Sequence, residues 1–223
     1  FCLSRGLGDV YKRQGQAALG EVLEQFEGYA AAAAAWESDL LPARLADYSP
    51  RWLDEACRAG RFAWARLAPS AKAAASTLRS TPLVLLPRGR LGLWQGLAQA
   101  LDIDALSPRA QKVHSALSQH GALFFDELRD EARLLPTELE NALQELVAAG
   151  LVSADSFAGL RALITPASKR PAHGHRRGRG PLFGGMDDAG RWALLRRNAA
   201  GEDREAVLEQ VARTLLRLSL IHI

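Results

Sequence analysis

The chain has 223 residues, 48% of them hydrophobic, and a formal net charge of +3. That is enough apolar material for more than one small core, while no apolar run approaches the roughly 18 residues that span a bilayer, so a helical membrane protein is excluded. Its two cysteines, Cys2 and Cys57, cannot build a disulfide framework or a zinc site and favour a reduced, cytoplasmic setting.

Residues 1–14, FCLSRGLGDVYKRQ, show neither helical nor strand periodicity, and Ser219–Ile223, SLIHI, cuts an amphipathic pattern short. Both strings resemble translated sequencing-adapter sequence, and the chain reads as a fragment truncated at both ends. The first string carries Arg5, Lys12 and Arg13 against Asp9. Without it the net charge falls to about +1, so only local basic clusters can point to nucleic acid.

Residues 15–105 read as one module. Leu19, Val22, Leu23 and Phe26 lie on one helical face. Six alanines, Ala30–Ala35, form a helix-favouring spacer, and a second helix is expected over Trp36–Ala46. Ser49-Pro50 is a helix start, and the helix it opens buries Leu53, Ala56 and Cys57 before stopping at Gly60. Two strands follow, Arg61–Leu67 and Thr81–Pro87, separated by a long Ala/Ser-rich tip. Helices followed by such a hairpin describe a winged helix with an extended wing, and a further helix is expected over Arg90–Leu101.

The pattern recurs over residues 106–165. Ser107-Pro108 opens a helix to His120, Ala122–Phe125 is a short strand, and Glu127–Leu134 is a helix. Thr137–Ala149 is the third helix, with Leu139, Ala142, Leu143, Leu146 and Val147 at helical spacing. Leu151–Asp155 and Leu160–Ile164 are expected to form the wing. Residues 166–190 are rich in Pro, Gly, Arg and His and cannot bury a core, so they read as a basic linker. Residues 191–218 read as the start of a further module, whose last helix has nothing in the chain to cover its apolar face. The predicted fold class is mainly α with small β-wings, as tandem winged-helix modules.

No Gly-Lys pair occurs anywhere, so a phosphate-binding loop of the Gly-Lys-Ser/Thr type is missing. Asp54-Glu-Ala-Cys57 and Asp130-Glu-Ala-Arg133 imitate an ATPase acidic box but fall on amphipathic helices, where they read as surface charge. The third helix of the second module shows Glu138, Glu140, Asn141, Gln144 and Glu145 outward. Three acids and no base cannot face phosphates, so sequence-specific groove reading is not expected and the module is expected to pack on its neighbours. Aromatic side chains suit strand contact better, because unstacked bases stack on them without sequence preference. Arg88, Arg90, Arg161 and the run Arg176, Arg177, Arg179 are candidate phosphate contacts. His173-Gly-His175 is too little for a metal site.

Six stretches in order carry a resemblance. They are AWESDLLPAR from Ala35, YSPRWLD from Tyr48, GRFAWAR from Gly60, GALFF from Gly121, GLVSADSF from Gly150 and GRWALL from Gly190. Together they resemble the region that follows the motor core in Lhr-type helicases. The resemblance implies RecA-like motor domains upstream, ATP and magnesium bound there with no cofactor in this fragment, and ATP-driven 3′-to-5′ translocation in DNA repair. It further implies single-stranded DNA or a DNA/RNA hybrid as partner, no membrane, and a tryptophan stacked on the tracked strand, for which Trp36 is the candidate. Two alternatives stand beside it. A winged-helix transcription regulator would need a basic recognition helix; a winged-helix DNA glycosylase would need a Gln-x-Gln type catalytic motif, which is expected to be missing from this chain.

Overall fold

The computed structural model of the chain describes residues 15–68, 78–98, 103–165, 186–195 and 204–220. Within them the protein is mainly α with two small antiparallel sheets.

The first module opens with α1 (Ala17–Gln25), which buries Leu19, Val22 and Leu23. The alanine run does not continue it as a helix. Ala31–Ala32 form β1, an edge strand whose residues lie opposite Leu83 and Pro82. Ala33 and Ala34 donate their N–H groups to the carbonyls of Thr81 and Arg79 at 2.9 and 3.1 Å. Alanine's helical preference amounts to tenths of a kcal/mol per residue, and partners for the backbone groups beside a sheet edge outweigh it. The expected second helix divides into a π-helical turn, Trp36–Leu40, and the short α2 (Leu41–Arg44). Helix α3 (Pro50–Arg58) starts at proline as anticipated and buries Leu53, Asp54, Ala56 and Cys57.

Strands β2 (Phe62–Ala65) and β3 (Pro82–Pro87) pair antiparallel, with Trp64 opposite Leu85 and Ala65 opposite Val84. The sheet order is β1-β3-β2. All four residues of β2 are buried, because both faces of the sheet are covered. Phe62, Trp64, Leu83 and Leu85 face the main core, whereas Ala65, Val84 and Leu86 face a smaller cluster containing Trp94 and Val211. The period-2 alternation therefore separates two apolar faces rather than an inner and an outer one.

Trp94 belongs to α4 (Leu91–Gly96) and Val211 to α9 (Arg204–Leu220). The expectation that nothing covers α9 is corrected: Val207 and Val211 pack back onto the first module and are buried. Leu208 and Leu215 on the same helix are exposed.

In the second module α5 (Pro108–His120) is capped by Ser107, whose Oγ accepts from the Ala110 N–H at 3.3 Å. Helices α6 (Phe125–Ala132) and α7 (Pro136–Ala148) complete the three-helix set. Glu127 and Glu138 each reach back three residues, accepting from the N–H of Phe124 at 2.8 Å and of Leu135 at 3.0 Å. Of the short strand at 122–125 only Leu123 has a sheet partner, bridging to Trp192.

The expected wing hairpin is not formed within Leu151–Ile164. Its first half is β4 (Val152–Ala154), but Phe157–Ile164 is a helix, α8. Every residue from Phe157 to Leu163 is buried, and an element buried on all sides fits a core helix better than a solvent-facing wing. The partner of β4 is β5 (Trp192–Leu194), with Ala154 opposite Trp192. Leu123, β5 and β4 thus repeat the edge-centre-edge arrangement of β1, β3 and β2. The basic stretch, residues 166–185 of which lie outside the described residues, falls in sequence between α8 and β5.

The modules share one core. Trp64 Nε1 donates to the carbonyl of Ser156 at 3.1 Å, and Ser153 Oγ donates to the carbonyl of Trp64 at 2.8 Å. The Trp64 and Trp192 rings meet edge to face at 6.2 Å, a geometry worth about 0.5–1.5 kcal/mol beyond area burial. Gly150 has φ +68°, and a Cβ there would lie 2.6 Å from the carbonyl oxygen of Arg66. Only glycine allows that approach.

Candidate nucleic-acid interface

The residues singled out from the sequence separate into buried and exposed sets. Trp36 is fully buried, donates Nε1–H to the carbonyl of Leu83 at 3.1 Å, and meets Phe26 edge to face at 5.6 Å. It presents no ring face to a base in this fold, and its place is in the core. The signal for that was the neighbouring apolar face of α1, which ends at Phe26.

Arg161 is likewise not a wing residue. It projects from α8 into a buried cluster formed by the first module. Its Nε and Nη2 donate to the two oxygens of Glu37 at 2.7 Å, and its Nη1 and Nη2 donate to Asp54 at 3.2 and 3.3 Å. Tyr48 OH adds a bond to Glu37 Oε1 at 3.1 Å. Burial alone would lower the Arg161 pKa, but its hydrogen bonds and charge pairing with Glu37 and Asp54 more than offset that and raise it. The Tyr48 hydroxyl is pushed up by burial and then by the Glu37 charge. Cys57, one turn from Asp54, is pushed up to about 12, chiefly by burial, so it is an inert packed thiol.

The acidic triplet at Asp54 is therefore only partly surface charge. Asp54 is spent inside on Arg161, while Glu55 is exposed. Asp130 and Glu131 are both exposed, and Asp130 pairs with Arg129. The sequence missed the set Glu37, Tyr48, Asp54 and Arg161 because 124 residues separate Glu37 from its cation. No local pattern announces such a contact.

Arg90 forms an ion pair with the buried Glu27 at 2.6 Å, and Glu27 also accepts from Trp94 Nε1 at 3.0 Å. Arg90 thus fastens α4 to the end of α1. Arg88 is exposed, with its side chain lying along Gly60 and its N–H bonded to the carbonyl of Arg61 at 2.9 Å. Arg61 is exposed beside it, a neighbour that sequence reasoning passed over. Arg176, Arg177 and Arg179 lie outside the described residues, as do His173 and His175. Among the described residues no group of three or more His, Cys, Asp or Glu side chains could hold a metal, and no helix is long and apolar enough to cross a membrane.

The polar face of α7 is largely engaged within the protein. Glu145 accepts from the N–H of Ser107 at 2.7 Å and from its Oγ at 2.5 Å, Gln144 Nε2 donates to the carbonyl of Leu163 at 3.0 Å, and Glu138 pairs with Arg109 at 2.9 Å. Glu138, Gln144 and Glu145 thus make packing contacts, while Asn141 is exposed. A triplet of Gln-x-Gln spacing does occur at the seam with the N-terminal string, Gln14-Gly15-Gln16. Gln16 Nε2 donates to Glu55 on the surface at 2.5 Å, and Gln14 is outside the described residues.

Comparison with known proteins agrees with the resemblance read from the sequence. A family model described as "Large helicase-related protein, winged-helix domain" matches residues 1–88, a span that includes the N-terminal string. The chain is 30% identical over 195 residues to the "Lhr helicase/uracil glycosylase" of Escherichia coli (strain K12), covering 78% of this chain and 12% of that protein. It is also 30% identical over 168 residues to the "Lhr helicase/ probable uracil glycosylase" of Mycolicibacterium smegmatis (strain ATCC 700084 / mc(2)155), covering 73% of this chain and 10% of that protein. The chain spans about a tenth of the length of these relatives. Its first 88 residues belong to the winged-helix domain family of large helicase-related proteins, and most of the chain is similar to a segment of the Lhr helicases.

Proposed function

We propose that this chain is a nucleic-acid-handling region of an ATP-dependent DNA helicase of the Lhr type, acting in repair on single-stranded DNA or a DNA/RNA hybrid. The RecA-like motor domains, with their ATP and magnesium, belong to another part of the same parent. One observation carries the reading: the second module engages its third helix internally, and the run Arg176, Arg177, Arg179 falls in sequence between its elements α8 and β5. A groove-reading regulator would use these elements the other way round. Basic side chains contact phosphates without reading bases, which suits a protein that moves along a strand.

The test is the salt dependence of single-strand binding. Neutralising Arg176, Arg177 and Arg179 lowers the slope of log K against log salt by up to about 0.7 per contact made, similarly for all base sequences. Binding by the parent chain that is independent of salt, or a slope unchanged in the triple variant, refutes the assignment. The chain by itself hydrolyses no ATP with or without DNA, because phosphoryl transfer needs the phosphates and magnesium held in place. DNA-stimulated phosphate release above a buffer control overturns that.

A further inference from the structure

The outer faces of the two sheets meet different surroundings. In the first module that face, formed by Ala65, Val84 and Leu86, is closed over by Trp94 and Val211. In the second, Leu123, Trp192 and Ala154 turn to the core. Strand alternation then puts the next row, Phe124, Arg191 and Asp155, on the other face. Phe124 is 50% exposed and Arg191 is exposed beside it. A lone surface phenylalanine is ordinary, but this one is held in place by its backbone on both sides. Leu123 exchanges two hydrogen bonds with Trp192, at 3.0 and 2.7 Å, and the Phe124 N–H donates to Glu127 at 2.8 Å. Arg191 is oriented in turn, its Nε donating to Asp155 Oδ2 at 3.0 Å. The acids nearest Phe124 in sequence are engaged: Glu127 caps α6, and Asp126 pairs with Arg129 at 2.7 Å. Arg88 and Asp155 line opposite sides of a cleft between the modules, and Arg61 stands exposed next to Arg88. Among the described residues the exposed aromatic side chains are Phe124 and Tyr29, and the Tyr29 ring rests against Phe26 at 5.7 Å.

We propose that Phe124 and Arg191 form a platform for one unstacked base of a single strand, with Arg191 holding the adjoining phosphate. The ring supplies a flat apolar face that any base can cover, and the guanidinium beside it is the natural partner of the phosphate. Opposed residues on neighbouring strands have Cβ atoms about 4.5–5.5 Å apart, so ring and guanidinium serve the same nucleotide. Aromatic side chains on an open sheet face hold unstacked bases in this manner. From Arg191 the path of the strand leads to Arg88 and Arg61, the cations across the cleft. Asp155 orients Arg191 and, being negative, keeps the phosphate on the arginine side. This inference rests on the nucleic-acid reading above and gives it the aromatic contact that Trp36, buried in the core, does not offer.

The experiment measures the affinity of the whole chain for a short single-stranded oligonucleotide and for the same oligonucleotide made abasic. Their ratio is the readout, because a partly unfolded variant loses both affinities together. In the parent the base-bearing strand binds more tightly. Phe124→Leu keeps apolar bulk and removes the ring; it is expected to reduce that preference by roughly 5- to 150-fold, with the abasic affinity and the salt slope unchanged. Phe124→Trp keeps the preference. Arg191→Gln weakens both strands alike and lowers the slope of log K against log salt by about 0.7; an unchanged slope removes Arg191 from the platform and overturns the proposal as stated. A Phe124→Leu chain with the parental ratio overturns it as well, whether its two affinities are both parental or both reduced. A parent that binds the two oligonucleotides equally overturns it while leaving the general strand-binding reading standing. A parent that binds neither removes both.

Discussion

Helices α3 and α7 hold the same place in their modules, each the last helix before a three-membered sheet, yet their polar residues are used in opposite ways. On α3, Arg51 and Arg58 are exposed, and the one buried charge, Asp54, is turned toward α8 of the other module. On α7, Glu138, Gln144 and Glu145 are bound to α5 and α8. The second module thus directs its polar chemistry into its own framework, and the first directs it into the joint between modules and onto the surface near Arg61 and Arg88. Repeating a fold does not repeat its working face. What a module offers a partner is decided by which side chains its neighbours leave unused.

The joint is where this contrast breaks most visibly. Arg161→Met leaves Glu37 and Asp54 buried without their cation and is expected to cost about 3–5 kcal/mol in denaturant unfolding. Converting Glu37 and Asp54 to Leu in the same chain should recover most of it, since an apolar cluster of similar volume tolerates burial. A loss under about 1 kcal/mol for the single change means the modules are not held by this cluster. Trp36→Ala belongs to the same scale, about 3–5 kcal/mol as a core deletion. A folded variant of parental stability with weakened strand binding returns Trp36 to the surface role first read from the sequence.

Gly150→Ala forces a left-handed backbone on a side chain that meets the Arg66 carbonyl, and should cost about 1–3 kcal/mol. Gly121→Ala is the control, because its φ is +81° but no atom lies within 4 Å of the added methyl. If the two melt alike, close approach of the modules contributes nothing at Gly150. Tyr48→Phe removes one hydrogen bond to Glu37 and should cost about 1 kcal/mol. The smallest effect sharpens the comparison of the helices themselves. Asn141→Lys, on the exposed part of α7, should leave strand affinity unchanged, whereas Arg51→Glu on α3 should weaken it at low salt. Equal gains and losses at the two sites place both helices against the strand.

Much of this was legible before any coordinates. The helices opened by Ser49-Pro50 and Ser107-Pro108 begin at their prolines, and Gly60, where the first was expected to stop, adopts positive φ. These are local signals, carried by a few adjacent residues. The errors fall where a distant segment decides. Ala31–Ala32 became a strand because β3 lay beside it, and Trp192–Leu194 took the place beside Val152–Ala154 that was expected of Leu160–Ile164, which lies in a helix. Of the candidate phosphate contacts, Arg88 is exposed, and beside it stands Arg61, passed over because it looked like the start of a strand. Arg161 and Trp36 were misread for one reason: their buried partners are far away in sequence, and a charged or aromatic side chain carries no mark of which side it will face.

The long separation between Arg161 and Glu37 has a consequence in time as well as in space. The chain is made from its N-terminus at about 5–20 residues per second, so the 124 residues between the two take about 6–25 s to appear. Over that interval Glu37 and Asp54 have no cation to bury against, and the outer face of the first sheet waits still longer for Val207 and Val211. The first module therefore emerges early but is finished later, some of its contacts supplied by α9. Stalling synthesis between β3 and α8 should yield a nascent module more open to protease than the same residues in the released protein.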